Sequence, residues 1–160
     1  MKLAPLQLNG CNFIEVSIKA HPGAEIGNLN RVDYDVQVRT FQDENNPRMW
    51  FVFLDIKIKP EENIAAPYTG EISVMGSFNV AEIWPEARME QLAYINGASV
   101  LYCSAREMIS TITSKGFFEP LQIPAWSFFE MYKEFDEKRK AQPELKIAGI
   151  SPKPSDSPAT

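Results

Sequence analysis

The residues able to do chemistry are few and poorly spaced for it. His21, the one histidine in 160 residues, precedes Pro22 in a turn signal, with no nucleophile or carboxylate at a catalytic spacing. Ser104-Ala105-Arg106-Glu107 lacks the glycines of a nucleophile elbow, whose sharp strand-to-helix turn exposes the hydroxyl. Asn9-Gly10-Cys11-Asn12 and Met75-Gly76-Ser77 have neither the glycine spacing nor the following Lys-Ser/Thr of a phosphate cradle. Asp33 and Asp35 share a strand face, as acid–base carboxylates would, but simple alternation also puts solvated charges there. Glu61-Glu62 follows Pro60 and reads as a turn. Cys11 and Cys103 have no CxxC partner and no ligand set at zinc spacing. The expectation is a protein that is not an enzyme and carries no cofactor and no metal.

Composition narrows the partners. The formal charge is −5, and a phosphate-binding surface needs a basic face, so nucleic acid is not an expected partner. No apolar run approaches the roughly 20 residues that span a bilayer, and Met1 to Gly10 carries one lysine and no apolar core like that of a signal peptide. These features predict a cytoplasmic chain without membrane insertion.

The remaining residues form elements. Asn12 to Ala20 alternates, with Ile14, Val16 and Ile18 on one side and Phe13, Glu15, Ser17 and Lys19 on the other. Val32, Tyr34, Val36 and Val38 line a second strand, Trp50 to Lys59 is a third, and Tyr68 to Val80 a fourth. Gly70 and Gly76 in the last of these indicate a bulge or a close backbone approach. Asp43 to Pro47 is dense turn chemistry. A short helix is expected between Pro85 and Asn96, followed by Gly97 and a long helix with Leu101, Ala105, Met108 and Ile112 on one face. Lys115-Gly116 reads as its left-handed stop. Pro120 and Pro124 keep the next segment extended, and Ser127 with Glu130 makes a capping box for a last helix. Four antiparallel strands followed by helices predict an α+β layer pair. Residues 1–140 form one domain, and 141–160 a Pro/Ser-containing tail too poor in apolar residues to order itself.

The last helix carries Phe128, Met131, Tyr132 and Phe135 on one stripe, with Trp126 just before its cap. Two readings of that stripe stand: core packing, or an adaptable apolar surface for a partner. The long helix offers a small, hydroxylated face, Ser104, Ser110, Thr111, Thr113 and Ser114, suited to close helix approach or to solvent.

Gly97-Ala98-Ser99-Val100-Leu101-Tyr102, Ala105-Arg106-Glu107, Ile109, Gly116-Phe117-Phe118, Leu121 and Phe128, in this order and spacing, resemble the C-terminal half of the SecB export chaperones. The resemblance covers about half the chain well and the strands more loosely. It implies a four-stranded antiparallel sheet with a long helix and a C-terminal helix packed against it, in a homotetramer built as a dimer of dimers. It implies an ATP-independent holdase for unfolded polypeptide clients, chiefly precursors for Sec-dependent export and translocation. A SecB-like chaperone dedicated to an antitoxin or a narrow client set is the alternative, and a non-chaperone ligand-binding or assembly module an alternative of another class.

Carried over by resemblance, the client-binding residues are Tyr34, Val36 and Val38 of the second strand with Trp126, Phe128, Met131, Tyr132 and Phe135. The same strand residues would otherwise simply be the buried face of the sheet. Export members dock outer-face acids onto the SecA motor ATPase, and Glu15 and Glu71 stand where two of those acids would be. Lys19 falls where an acid is expected, Thr69 where an apolar contact is expected, and Cys103 where the family has proline. The tail differs from the motor-binding tail of housekeeping members. A lysine in place of an acid weakens docking to a basic patch.

Overall fold

The alternating segments hydrogen-bond into one antiparallel sheet of β1 (Leu6–Ala20), β2 (Val32–Gln42), β3 (Met49–Pro60) and β4 (Tyr68–Val80), ordered β1-β4-β3-β2. The structure, a computed structural model, describes residues 3–24, 32–61 and 65–141. The tail expected at 141–160 lies outside these residues except for Ala141, which ends the last helix.

Strand β3 is interior to the sheet, and its inward side chains Trp50, Val52, Leu54, Ile56 and Ile58 are at most 8% exposed. Ile72, Val74, Phe78 and Val80 of β4 continue that surface. The turn between β2 and β3 closes on Asp43, whose Oδ1 accepts the amides of Asn45 at 2.9 Å and Asn46 at 2.7 Å.

Strand β1 departs from simple alternation. It starts at Leu6 rather than Asn12, and its register against β4 shifts between Leu8 and Gly10 and between Phe13 and Glu15. A bulge moves later residues to the other face. Phe13, opposite Val74, therefore packs against the core, whereas Ile14 is 61% exposed. Val16 and Ile18 keep the side expected of them, opposite Ile72 and Gly70. At Gly70 a Cβ would stand 1.9 Å from the Ser17 carbonyl oxygen, so the glycine marks a close approach of β1 to β4.

The helical part is one path rather than a short helix and a long one parted at Gly97. A 3-10 turn (Glu86–Arg88), α1 (Met89–Leu92), a π turn (Ala93–Gly97) and α2 (Ala98–Thr113) follow without a break. Gly97 has helical angles, φ −63° and ψ −49°. Its role is proximity: a Cβ there would meet Val52 Cγ2 at 2.9 Å and Phe78 Cε2 at 3.3 Å, so glycine lets the helix sit down on the sheet. The buried stripe of α2 is Ala98, Leu101, Tyr102, Ala105, Ile109 and Thr113. Leu101 and Ala105 are where periodicity put them, while Met108 and Ile112 are only half-buried at its margin.

Gly116 does not make the expected left-handed stop, since Gly70 is the one glycine with positive φ among the described residues. Glycine is required there because a Cβ would fall 2.7 Å from Tyr68 Oη. That hydroxyl lies 3.1 Å from Thr113 O and 3.2 Å from Phe118 O, and accepts the Phe118 amide at 3.3 Å. Thr113 Oγ1 donates to Ile109 O at 2.7 Å and accepts the Leu121 amide at 2.8 Å. Tyr102 Oη donates to Pro124 O at 2.6 Å. Three hydroxyls thus fasten the linker, and Leu121 and Ile123 seal it into the core.

The last helix, α3, runs Phe128–Ala141. Ser127 Oγ accepts the Glu130 amide at 3.4 Å, one half of the expected capping box. The Glu130 carboxylate reaches Lys133 at 3.2 Å instead of returning to the cap.

Candidate functional site

Tyr34, Val36 and Val38 stand opposite Ile58, Ile56 and Leu54, so all three lie on the helix-covered face of the sheet. Strand β2 is an edge, and Tyr34 and Val38 are half-buried there, while Val36 at 8% exposure belongs to the core. From the other side comes α3. Phe128 is 3% exposed and meets Tyr102 edge-on at 5.5 Å between ring centroids. Trp126 and Met131 pack at the core margin, with Trp126 Nε1 2.7 Å from Met131 Sδ. Tyr132 and Phe135 meet Tyr94 of the π turn at 5.3 Å and 5.4 Å, the Phe135 pair stacked.

The expected residues of α3 are gathered on two tyrosines of the helical path that were not expected, while Tyr34, Val36 and Val38 pack on the same core from β2. Tyr102 meets Phe128 at the start of α3, and Tyr94 meets Tyr132 and Phe135 further along it. A signal for both was present: Tyr94, Ala98 and Tyr102 follow at four-residue steps on the stripe that includes Ala105 and Ile109. The break expected at Gly97 hid that continuity.

The surface remains uncharged. Burial raises the Tyr102 phenol to about 12, with nearby Arg106 opposing and Tyr34 adding to the rise. Burial likewise raises Tyr34, and raises Tyr94 with help from Glu134. Tyr132 is raised by burial and by the charges of Glu90 and Asp136, against Arg139. Hydrogen bonds from Lys140 and Arg139 hold Asp136 below the usual carboxylate range.

Glu15 and Glu71 lie on the opposite face, at diagonal positions of neighbouring strands: Glu15 faces Ser73, and Glu71 faces Ser17. Glu71 is 3.9 Å from Lys57 and shares a surface hollow with Lys19, Lys57 and Lys59. Across this face Lys59 pairs with Asp35 at 3.3 Å and Arg39 with Asp55 at 2.8 Å.

The other chemical candidates are dispersed. His21 Nε2 is hydrogen-bonded to Thr69 Oγ1 at 2.7 Å on the surface. Ser104 Oγ bonds back to Val100 O at 3.4 Å. Cys11 and Cys103 are free thiols. Among the described residues no three His, Cys, Asp or Glu side chains are grouped as metal ligands, and no helix is long and apolar enough to cross a membrane.

A sheet bearing its helices on one face, with aromatic side chains of the last helix gathered on Tyr94 and Tyr102 of the helical path, defines an α+β scaffold for apolar contacts. The chain belongs to the SecB family: the family model for preprotein translocase subunit SecB matches residues 7–139. SecB proteins are non-enzymatic chaperones. The protein-export protein SecB of Wolbachia sp. subsp. Brugia malayi is 28% identical over 145 residues, covering 85% of this chain and 86% of that protein. That of Granulibacter bethesdensis is 25% identical over 149 residues, covering 89% and 80%. Among solved structures, the Mycobacterium tuberculosis Rv1957 SecB-like chaperone in complex with a ChAD peptide from the Rv1956 HigA1 antitoxin has the same fold. It matches with a TM-score of 0.57 at 14% identity, over 77% of this chain and 88% of that one.

Proposed function

We propose that this protein is an ATP-independent holdase that keeps unfolded polypeptides competent for Sec-dependent export, using the rim between β2 and α3. The observation that carries the reading is the uncharged set of Tyr34 and Val38 on the edge strand with Trp126, Met131, Tyr132 and Phe135 of the last helix and its approach, in a chain of the SecB family. Such side chains adapt to many apolar sequences, and binding spread over many weak contacts needs no catalytic group. The core positions Val36 and Phe128 support this rim from below. As in the family, the working form is a cytoplasmic homotetramer. The test is aggregation of an unrelated unfolded protein with and without the chaperone, in the absence of nucleotide. Suppression near stoichiometric ratio, weakened by Met131→Ala with Phe135→Ala, is expected; full protection by that double variant would overturn the rim assignment.

Docking to the SecA motor through Glu15 and Glu71 is expected to be weak, because the lysines around Glu71 oppose a basic partner. Lys19→Glu should strengthen it, read as SecA affinity at low salt, and an unchanged affinity would remove this face from the interaction. The same lysines favour a second reading, a chaperone dedicated to one client such as an antitoxin, which is the kind of peptide bound by the Mycobacterium tuberculosis relative in fold. Proteins co-purifying from the native host separate the two: many signal-bearing precursors for export, one stoichiometric small partner for the dedicated role. No polypeptide at all would favour the ligand-binding or assembly module.

A further inference from the structure

Helix α3 lies closed over much of the surface just described. Tyr132 and Phe135 point back onto Tyr94, and Phe128 is sealed under Tyr102. Phe128 is the only buried residue of α3 among those described; Met131 and Tyr132 are half-buried, and Phe135 is 36% exposed. The far end is held differently. Arg139 Nη1 donates to Glu90 Oε2 of α1 at 2.6 Å, its Nη2 donates to Asp136 at 2.7 Å, and its guanidinium stands over the Phe135 ring at 5.4 Å. Among the described residues, Arg139–Glu90 is the one ion pair joining α3 to the preceding helical path, and each side chain keeps about a third of its surface exposed, 33% and 32%.

The helix is thus pinned at its start by a buried ring and at its end by a solvent-reachable ion pair, with three aromatic rings between. The linker cannot carry the motion, because Tyr68, Thr113 and Tyr102 fasten it as far as Pro124. The joint left is Ala125 to Ser127, whose hydrogen bonds run to α3 itself: Trp126 Nε1 to Met131 Sδ, and the Glu130 amide to Ser127 Oγ. We infer that Glu90 and Arg139 form a latch, and that α3 is a cover pivoting on Phe128 whose opening exposes Tyr94, Tyr132 and Phe135 to an unfolded polypeptide. This inference rests on the holdase reading of the same rim. A segment with one buried anchor opens at low free energy. A client that binds only the open form has its apparent affinity reduced by the fraction of chains that are closed.

The experiment is hydrogen exchange followed by mass spectrometry on the full chain and on Glu90→Ala, with binding of a reduced and alkylated, permanently unfolded polypeptide measured in parallel. Glu90→Gln, which keeps the shape without the charge, stands in if Glu90→Ala does not fold. Loss of a charge-assisted hydrogen bond predicts exchange in α3 on the order of tenfold faster, with sheet amides unchanged and the unfolded polypeptide bound several-fold more tightly. Unchanged exchange in α3 would overturn the latch. Faster exchange with equal or weaker binding would overturn the cover while leaving the holdase intact. Binding by neither chain would overturn the holdase reading and the cover together.

Discussion

Tyr102 holds the linker and the start of α3, and its hydroxyl has a measurable signature. Its folded-state pKa is raised to about 12 from the ordinary 10.0, so the stability it contributes is complete below pH 10 and is lost as pH rises through about 12. Melting temperature should fall across that window more steeply in the wild type than in Tyr102→Phe. At neutral pH the same variant, which keeps the ring on Phe128 but loses the bond to Pro124 O, should be less stable by about 1 kcal/mol in denaturant titration. A different residue carries the sheet. Gly70→Ala would drive a Cβ into the Ser17 carbonyl, and should cost about 3 kcal/mol or more, or prevent β1 from pairing, seen as lost amide protection in both strands. Tyr102 is also where sequence reading fell short. Its place on the stripe could be counted, but nothing local says that a stripe tyrosine will meet a phenylalanine 26 positions later, which depends on where the linker leads.

Among the elements, strands were the more legible. Alternation along β2, β3 and β4 found the inward faces because a sheet covered on one side enforces period two. It failed in β1, where two register shifts against β4 decide which side chains face the core; register is a property of the pair, invisible in one strand. Glycines misled in a consistent way. Gly97 and Gly116 read as the boundary before the long helix and as its cap, yet both serve proximity, to Val52 and Phe78 in one case and to Tyr68 in the other. For α3 the two readings of its stripe divide by position: Phe128 is core, and the exposed Phe135 is left to the proposed client surface. Phe128→Ala should destabilise by about 3 kcal/mol, the expected loss for a buried ring. Phe135→Ala, at 36% exposure, should cost about 1 kcal/mol while weakening client binding. If equilibrium unfolding gave the two equal losses, α3 would be a plain core helix and the rim would lie elsewhere.

For the molecule as a whole, the single chain leaves apolar groups uncovered on its edge strand and long helix: Ile14 at 61%, Val16 at 39% and Val100 at 40% exposure. The proposed dimer of dimers would cover them, and sedimentation should give a native mass near four chains of 18.1 kDa. A monomer at micromolar concentration would remove that assembly. The strand order has a kinetic side as well. Strands β2, β3 and β4 form a meander in which each pairs with its neighbour in sequence, whereas β1, which emerges earlier during synthesis, pairs with β4 alone. Short-range pairings close cheaply in chain entropy, and β1 must close a loop around the whole meander. The meander should therefore nucleate, so that Ile56→Val slows refolding while Val16→Ala chiefly speeds unfolding in stopped-flow traces. Until β4 is made, β1 waits without a partner, and for that interval the nascent chaperone is itself an unfolded chain of the kind it is built to hold.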